Sequence, residues 1–89
     1  MSTVFIVFQA NEETRPIVEA IVQDNPAAEV ENQPAMVRVA APDEMTIRRE
    51  TIEELIGRRF DLQELHINLV TLSGHVDEDD DRLVLSWNN

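Results

Sequence analysis

The spacing of apolar residues changes several times along this chain, and each change marks an element. Val4-Phe5-Ile6-Val7-Phe8 is an unbroken β-branched and aromatic run. Strands covered on both faces look like this, so it belongs in the middle of a sheet. The period then lengthens. Ile17, Val18, Ala20, Ile21 and Val22 line one face of a helix. Asn11 and Thr14 both suit its N-cap, Glu12 and Glu13 suit the positive end of its dipole, and Pro16 fits its first turn. Asp24-Asn25-Pro26 ends it, because the residue before proline avoids the α region.

Shorter periods come next. Ala28 to Asn32 predicts a weak strand with only Val30 firmly apolar, and Gln33-Pro34 a turn. Met36 to Ala40 predicts a better strand, with Val37 and Val39 on the face opposite Met36. Ala41-Pro42-Asp43-Glu44 reads as a tight turn, after which Met45 to Arg48 pairs back with Met45 and Ile47 inward. Thr51-x-x-Glu54 has the form of a capping box ahead of Leu55 and Ile56, with Leu55 expected in the core. Gly57 supplies a left-handed helix end, and Phe60 folds back onto the helix. Asp61-x-x-Glu64 is a second box, opening a helix of about one turn. Ile67 to Leu72 predicts a strand with Ile67, Leu69 and Thr71 on one side and Asn68, Val70 and Leu72 on the other. Ser73-Gly74 opens a loop through Asp81, and Arg82 to Trp87 closes the chain with Leu83, Leu85 and Trp87 on one face.

The implied fold is α+β: a β-α-β-β half followed by a β-α-α-β-β half, mostly antiparallel, with helices packed against the sheet. Eighty-nine residues suit one domain spanning residues 1–89 with a thin core and little room for a deep enclosed site.

Charge narrows the partners. Eighteen Asp and Glu stand against seven Arg and no Lys, a formal net charge of −11. Nucleic acid and anionic membrane surfaces are disfavoured; a basic protein surface is the natural counterpart. No apolar run approaches the length of a membrane span, no signal peptide is expected, and the absence of Cys is compatible with the cytoplasm.

Reactive constellations are scarce. His66 and His75 are the sole imidazoles, and His75-x-Asp77 lacks further ligands at metal-binding spacing. The acidic run Asp77-Glu78-Asp79-Asp80-Asp81 lacks the glycine and terminal glutamate of an EF-hand loop. It reads as a solvated loop blunting a hairpin end or as a docking loop for a basic partner. Ser2, Ser73 and Ser86 have no base beside them in sequence and sit in no glycine-flanked elbow. Phe5, Phe8, Phe60 and Trp87 each read as core. Asn68 is the polar oddity of an apolar strand. It faces solvent at a strand end, or else its face, with Val70 and Leu72, meets a partner.

Together, TIEELIGRRFDLQELHINLVTLSGHVDEDDDRLVLSW, with NEETRPIVEAIV in the first half, resembles the regulatory (coupling, or effector) proteins of bacterial multicomponent monooxygenases with di-iron centres, most of all their phenol hydroxylase branch. The resemblance rests on the Gly57-Arg58-x-Phe60 corner, the Asn68 strand, Gly74 and the acidic run. It implies a cofactor-free accessory protein, monomeric when free. Such a protein binds the oxygenase component and couples electron and oxygen use to hydroxylation of an aromatic substrate. In the methane branch a polar Asn-x-Ser-Ser-Thr segment before a glycine lies at the docking face. Asn68 matches that Asn, while Val70, Thr71 and Leu72 are bulkier and less polar than the Ser-Ser-Thr of that segment. The long N-terminal tail of that branch has no expected counterpart. The docking residues expected on this basis are Asn68, Val70, Thr71, Leu72, Gly74, Asp77 and Asp79. Two competing readings are a generic acidic adaptor and a small enzyme using His75 with the acidic run.

Overall fold

The structure is a computed structural model that describes residues 3–87, so Ser2 lies outside the described residues. Seven strands form two sheets. In chain order these are β1 (Thr3–Gln9), β2 (Glu29–Gln33), β3 (Met36–Pro42), β4 (Glu44–Arg48), β5 (Leu69–Ser73), β6 (His75–Glu78) and β7 (Arg82–Ser86). Helix α1 (Thr14–Asp24) follows β1, helix α2 (Arg49–Ile56) follows β4, and a 3-10 helix (Leu62–Ile67) precedes β5. The first sheet has the order β2-β3-β1-β5 and the second β4-β7-β6, every pairing being antiparallel. This is the α+β arrangement expected, with one strand more than the sequence reading allowed.

One hydrophobic cluster joins both sheets and the helices. The first sheet contributes Val4, Ile6, Phe8, Val37, Val39 and Ala41, and the second Met45, Ile47, Leu83 and Leu85. Ile17, Ala20 and Ile21 of α1, Ile52 of α2, Phe60, and Leu62 and Leu65 of the 3-10 helix complete it. β1 is central, as its unbroken apolar run demands. Its outward residues are also shielded: Val7 is buried, and the Arg38 guanidinium lies 4.6 Å from the centre of the Phe5 ring. β2 is an edge strand with no buried residue, and it begins one residue later than expected.

The chain steps between sheets at single residues. Asp43 alone, at φ 66°, separates β3 from β4. β4 therefore does not pair back on β3; it joins β7 in the second sheet, still with Met45 and Ile47 inward. Gly74, at φ 135°, makes the second crossing, from β5 to β6. The expected loop through Asp81 is thus a strand and a turn. His75–Glu78 pairs with β7, and three residues, Asp79 to Asp81, close the hairpin.

Asn11 and Thr14 bond each other reciprocally at the entry to α1, which begins at Thr14. The Asn11 Oδ1 accepts from the Thr14 amide at 3.0 Å, and the Thr14 Oγ1 accepts from the Asn11 amide at 3.1 Å. At the far end the Asn25 Nδ2 donates to the Ile21 and Thr46 carbonyls, and its Oδ1 accepts from the Thr46 amide, which ties the helix to β4.

The Thr51-x-x-Glu54 box does not form, because α2 starts three residues earlier with Arg48 at the cap. The Arg49 amide donates to the Asp81 carbonyl at 2.9 Å, so the β6–β7 hairpin satisfies a first-turn donor of the helix. This earlier start turns Ile52 and Ile56 inward and leaves Leu55 43% exposed, against the expectation of a core position. Gly57 ends the helix at φ 74°, and the Glu53 carboxylate accepts from the Phe60 amide at 2.9 Å, which fixes the fold-back of the buried Phe60. Trp87 is not core: it is 46% exposed and donates its Nε1–H to the Thr3 carbonyl. Among the described residues no helix is long and apolar enough to cross a membrane.

Candidate docking face around the bulged strand

The 3-10 helix sets the geometry of the strand after it. Its capping box forms as expected: the Asp61 carboxylate accepts from the Gln63 amide, and the Glu64 carboxylate accepts from the Asp61 amide. Three residues per turn then bring Leu62, Leu65 and Asn68 onto one face. Leu62 and Leu65 are buried, and Asn68, at the helix C-cap, is 9% exposed. Ile67, expected to open a strand on the side of Leu69 and Thr71, ends the 3-10 helix instead, lies off that face and is 71% exposed.

Asn68 is therefore neither solvent-facing nor a surface contact. Its Oδ1 accepts from the Asn11 Nδ2 at 2.9 Å, and its carbonyl accepts from the Gln9 amide at 2.8 Å. The Thr14 hydroxyl donates to the Gln9 carbonyl at 2.8 Å, so the start of α1, the end of β1 and the start of β5 share one polar clasp. Removing one partner leaves a half-buried donor unpaired. We expect Asn68→Ala to lower stability by about 1–3 kcal/mol in urea unfolding. A loss no larger than that of an exposed control such as Thr71→Ala would show that the clasp is incidental.

β5 is bulged. Thr71 stands opposite Val7, but the next pair is Leu69 with Phe8, so Val70 is an extra residue between them. Strict alternation puts Leu69 and Leu72 on opposite faces. The bulge lets both pack against the core, and leaves Val70, 46% exposed, and Thr71 outward. A bulge also spoils the open edge of β5 for accidental strand pairing. Gly74 comes next, half-buried, where an added Cβ would stand 3.1 Å from the Val4 Cγ1.

Asp77 and Asp79 are on the other sheet. Asp77 is exposed on β6, the edge strand. Asp79 organises the turn: its Oδ1 accepts from the Asp81 and Arg82 amides at 2.8 and 2.9 Å, which hold its carboxyl below the ordinary carboxylate range. Arg49 closes over the same turn, 2.9 Å from Asp81. His66 lies 3.6 Å from Glu78, linking the 3-10 helix to β6. His75 is exposed on β6, and no group of three His, Asp or Glu side chains among the described residues is arranged to hold a metal ion. Of the seven expected docking residues, Val70, Thr71, Asp77 and Asp79 are exposed, Leu72 and Gly74 are half-buried, and Asn68 is buried.

Residues 2–86 match the model of the MmoB/DmpM family. The chain belongs to this family. It is 53% identical over 88 residues to the stimulatory component DmpM of phenol 2-monooxygenase from Pseudomonas sp. strain CF600, a match covering 99% of this chain and 98% of the relative. A chain in a solved complex of phenol hydroxylase with its regulatory protein is 50% identical and superposes with a TM-score of 0.94, over 98% of this chain and 100% of that one. The soluble methane monooxygenase regulatory protein B shares the fold at 20% identity, with a TM-score of 0.76 over 97% of this chain and 65% of that one.

Within this MmoB/DmpM fold, sequence reasoning missed Asn11 and Ile67. Asn11 reads as a helix cap, and nothing local reveals its second bond to a residue 57 positions away. Ile67 had a usable signal. The capping box at Asp61 followed by Leu62 and Leu65 at a spacing of three points to a 3-10 helix, whose next inward position is Asn68.

Proposed function

We propose that this chain is the regulatory component of a phenol hydroxylase, binding the oxygenase component and coupling electron and oxygen use to hydroxylation of an aromatic substrate. The observation that carries the reading is its 50% identity and near-complete superposition with a chain of the phenol hydroxylase–regulatory protein complex. The 53% identity to a stimulatory component marks that chain as the regulatory member, and favours an oxygenase partner over a generic adaptor. In this role the chain is an accessory protein rather than a catalyst. It acts by binding one state of the oxygenase better than another, which shifts that protein's population toward the favoured state. The acidic balance of −11 speeds encounter with a basic surface more than it tightens the final complex.

Within this reading, the docking face centres on the bulge. Val70 is an exposed apolar residue at the bulge, followed by the exposed Thr71. Asn68, Leu72 and Gly74 shape that face from behind. Adding the protein to a purified phenol hydroxylase oxygenase component, with its reductase, is expected to raise product formation and lower peroxide release until both saturate. Flat turnover and peroxide release across the titration would end the reading. Val70→Asp is expected to keep the wild-type melting temperature and raise the half-activating concentration at least ~10-fold, equivalent to about 1.4 kcal/mol. An unshifted curve would move the docking face elsewhere.

A further inference from the structure

Beside the clasp, a cleft runs between the first turn of α1 and the 3-10 helix, with a volume of about 200 Å³. Small-molecule sites are generally larger, ~300–1,000 Å³, whereas one long side chain fits this space. Pro16 and Ile17 from α1, Ile56 and Phe60 from the α2 corner, and Ile67 from the 3-10 helix give it an apolar part, and the Asn68 amide lines it as well. Its rim is acidic. Glu12, Glu13 and Glu64 stand there against one cation, Arg58. Arg58 is already engaged, 3.4 Å from the Glu64 carboxylate and donating to the Arg59 carbonyl at 2.7 Å. Glu12 has a solvated ion pair with Arg15 at 3.3 Å, and Glu13 makes no ion pair among the described residues.

A cleft lined by both apolar side chains and carboxylates matches the chemistry of arginine and lysine, which bury an aliphatic stem and keep a charged head among polar groups. A purely apolar side chain would strand the carboxylates against it, and an acidic one would be repelled. The exposure of Ile67 fits the same purpose: a 71% exposed isoleucine lining the cleft offers apolar surface to a partner's stem. We infer that this cleft receives a single arginine or lysine side chain of the oxygenase component, its stem on Pro16, Ile56 and Ile67 and its head between Glu12 and Glu13. The inference rests on the proposed function and adds to it a second, charge-specific anchor besides the Val70 face.

The test titrates a purified phenol hydroxylase oxygenase component with three forms of the full chain: wild type, Glu12→Gln/Glu13→Gln, and Ile67→Ala. The double variant Glu29→Gln/Glu44→Gln controls for net charge, since both residues are exposed and lie outside the cleft. The cleft double variant is expected to raise the half-activating concentration about tenfold with the maximal rate unchanged, and to flatten its dependence on salt. Ile67→Ala should shift it in the same direction without altering the salt dependence. The charge control should shift it less than twofold. If the wild type saturates and the two glutamine pairs behave alike, charge at the cleft plays no part and the inference falls while the proposed function stands. A shift confined to Ile67→Ala would indicate an apolar occupant and also overturn it. If the wild type itself has no effect, both fall together. All the altered side chains project from the surface, and a thermal melt of each variant confirms that folding is unchanged.

Discussion

Ile52→Ala will lower the melting temperature far more than Leu55→Ala, although the two residues are three positions apart on the same short helix. Ile52 is fully buried in the cluster that joins both sheets, while Leu55 is 43% exposed. Truncating a buried isoleucine removes its transfer free energy and leaves a void that the neighbours only partly fill, at a cost of about 2–5 kcal/mol. An exposed leucine costs roughly 0.5 kcal/mol or less. A chain of this size has a total stability of roughly 5–13 kcal/mol. Each kcal/mol lost moves the midpoint by about 4–8 °C. Ile52→Ala should therefore melt more than ~10 °C below wild type, and Leu55→Ala within ~4 °C of it. Equal losses would mean that Leu55 shares the core face with Ile52, as the sequence places it.

That contrast shows where the pattern of residues is informative. Elements whose period reflects one dominant burial face were legible: β1 from its unbroken run, α1 from Ile17, Ala20 and Ile21, and β7 from Leu83 and Leu85. The Asp61 box and the Gly57 corner were legible too, because capping chemistry is local. The features that stayed hidden depend on distant partners. The start of α2 is set by the Asp81 carbonyl, 32 residues away. β4 pairs with β7 rather than β3 because Asp43 turns the chain into the other sheet. β6 looks like an acidic loop because none of its four residues is buried; it is a strand only through its ladder with β7.

The candidate site divides in the same way. The run from Asn68 to Gly74 points to the right region, because an apolar strand with a polar residue and a glycine is unusual in so small a core. The role of each residue cannot be read from alternation, since the bulge at Val70 shifts the faces by one. Asn68 consequently changes from an expected contact to a buried tie, and Ile67 from an expected strand residue to the exposed end of the 3-10 helix.

Gly74→Ala should be the most damaging single-carbon change in the molecule. At φ 135° a side chain is strained wherever it points, at a cost of about 1–3 kcal/mol. The new Cβ would also stand 3.1 Å from the Cγ1 of Val4, which is fully buried and has no free space to turn into. Overpacking of this kind adds about 1–3 kcal/mol, for a total loss of about 2–6 kcal/mol in urea unfolding. Gly57 is the internal comparison. It too has positive φ, at 74°, but nothing lies within 4 Å of its added Cβ, so Gly57→Ala should cost only about 1–2 kcal/mol. The difference separates two explanations of why a glycine succeeds the bulged strand. If Gly74 is needed for the crossing between sheets, Gly74→Ala loses stability first, and activation of the oxygenase falls only in proportion to the unfolded fraction. If it is needed for close approach of the partner, Gly74→Ala melts like the wild type while the half-activating concentration rises. The contact with Val4 favours the first outcome, and a stable variant that fails to activate would reverse that assignment.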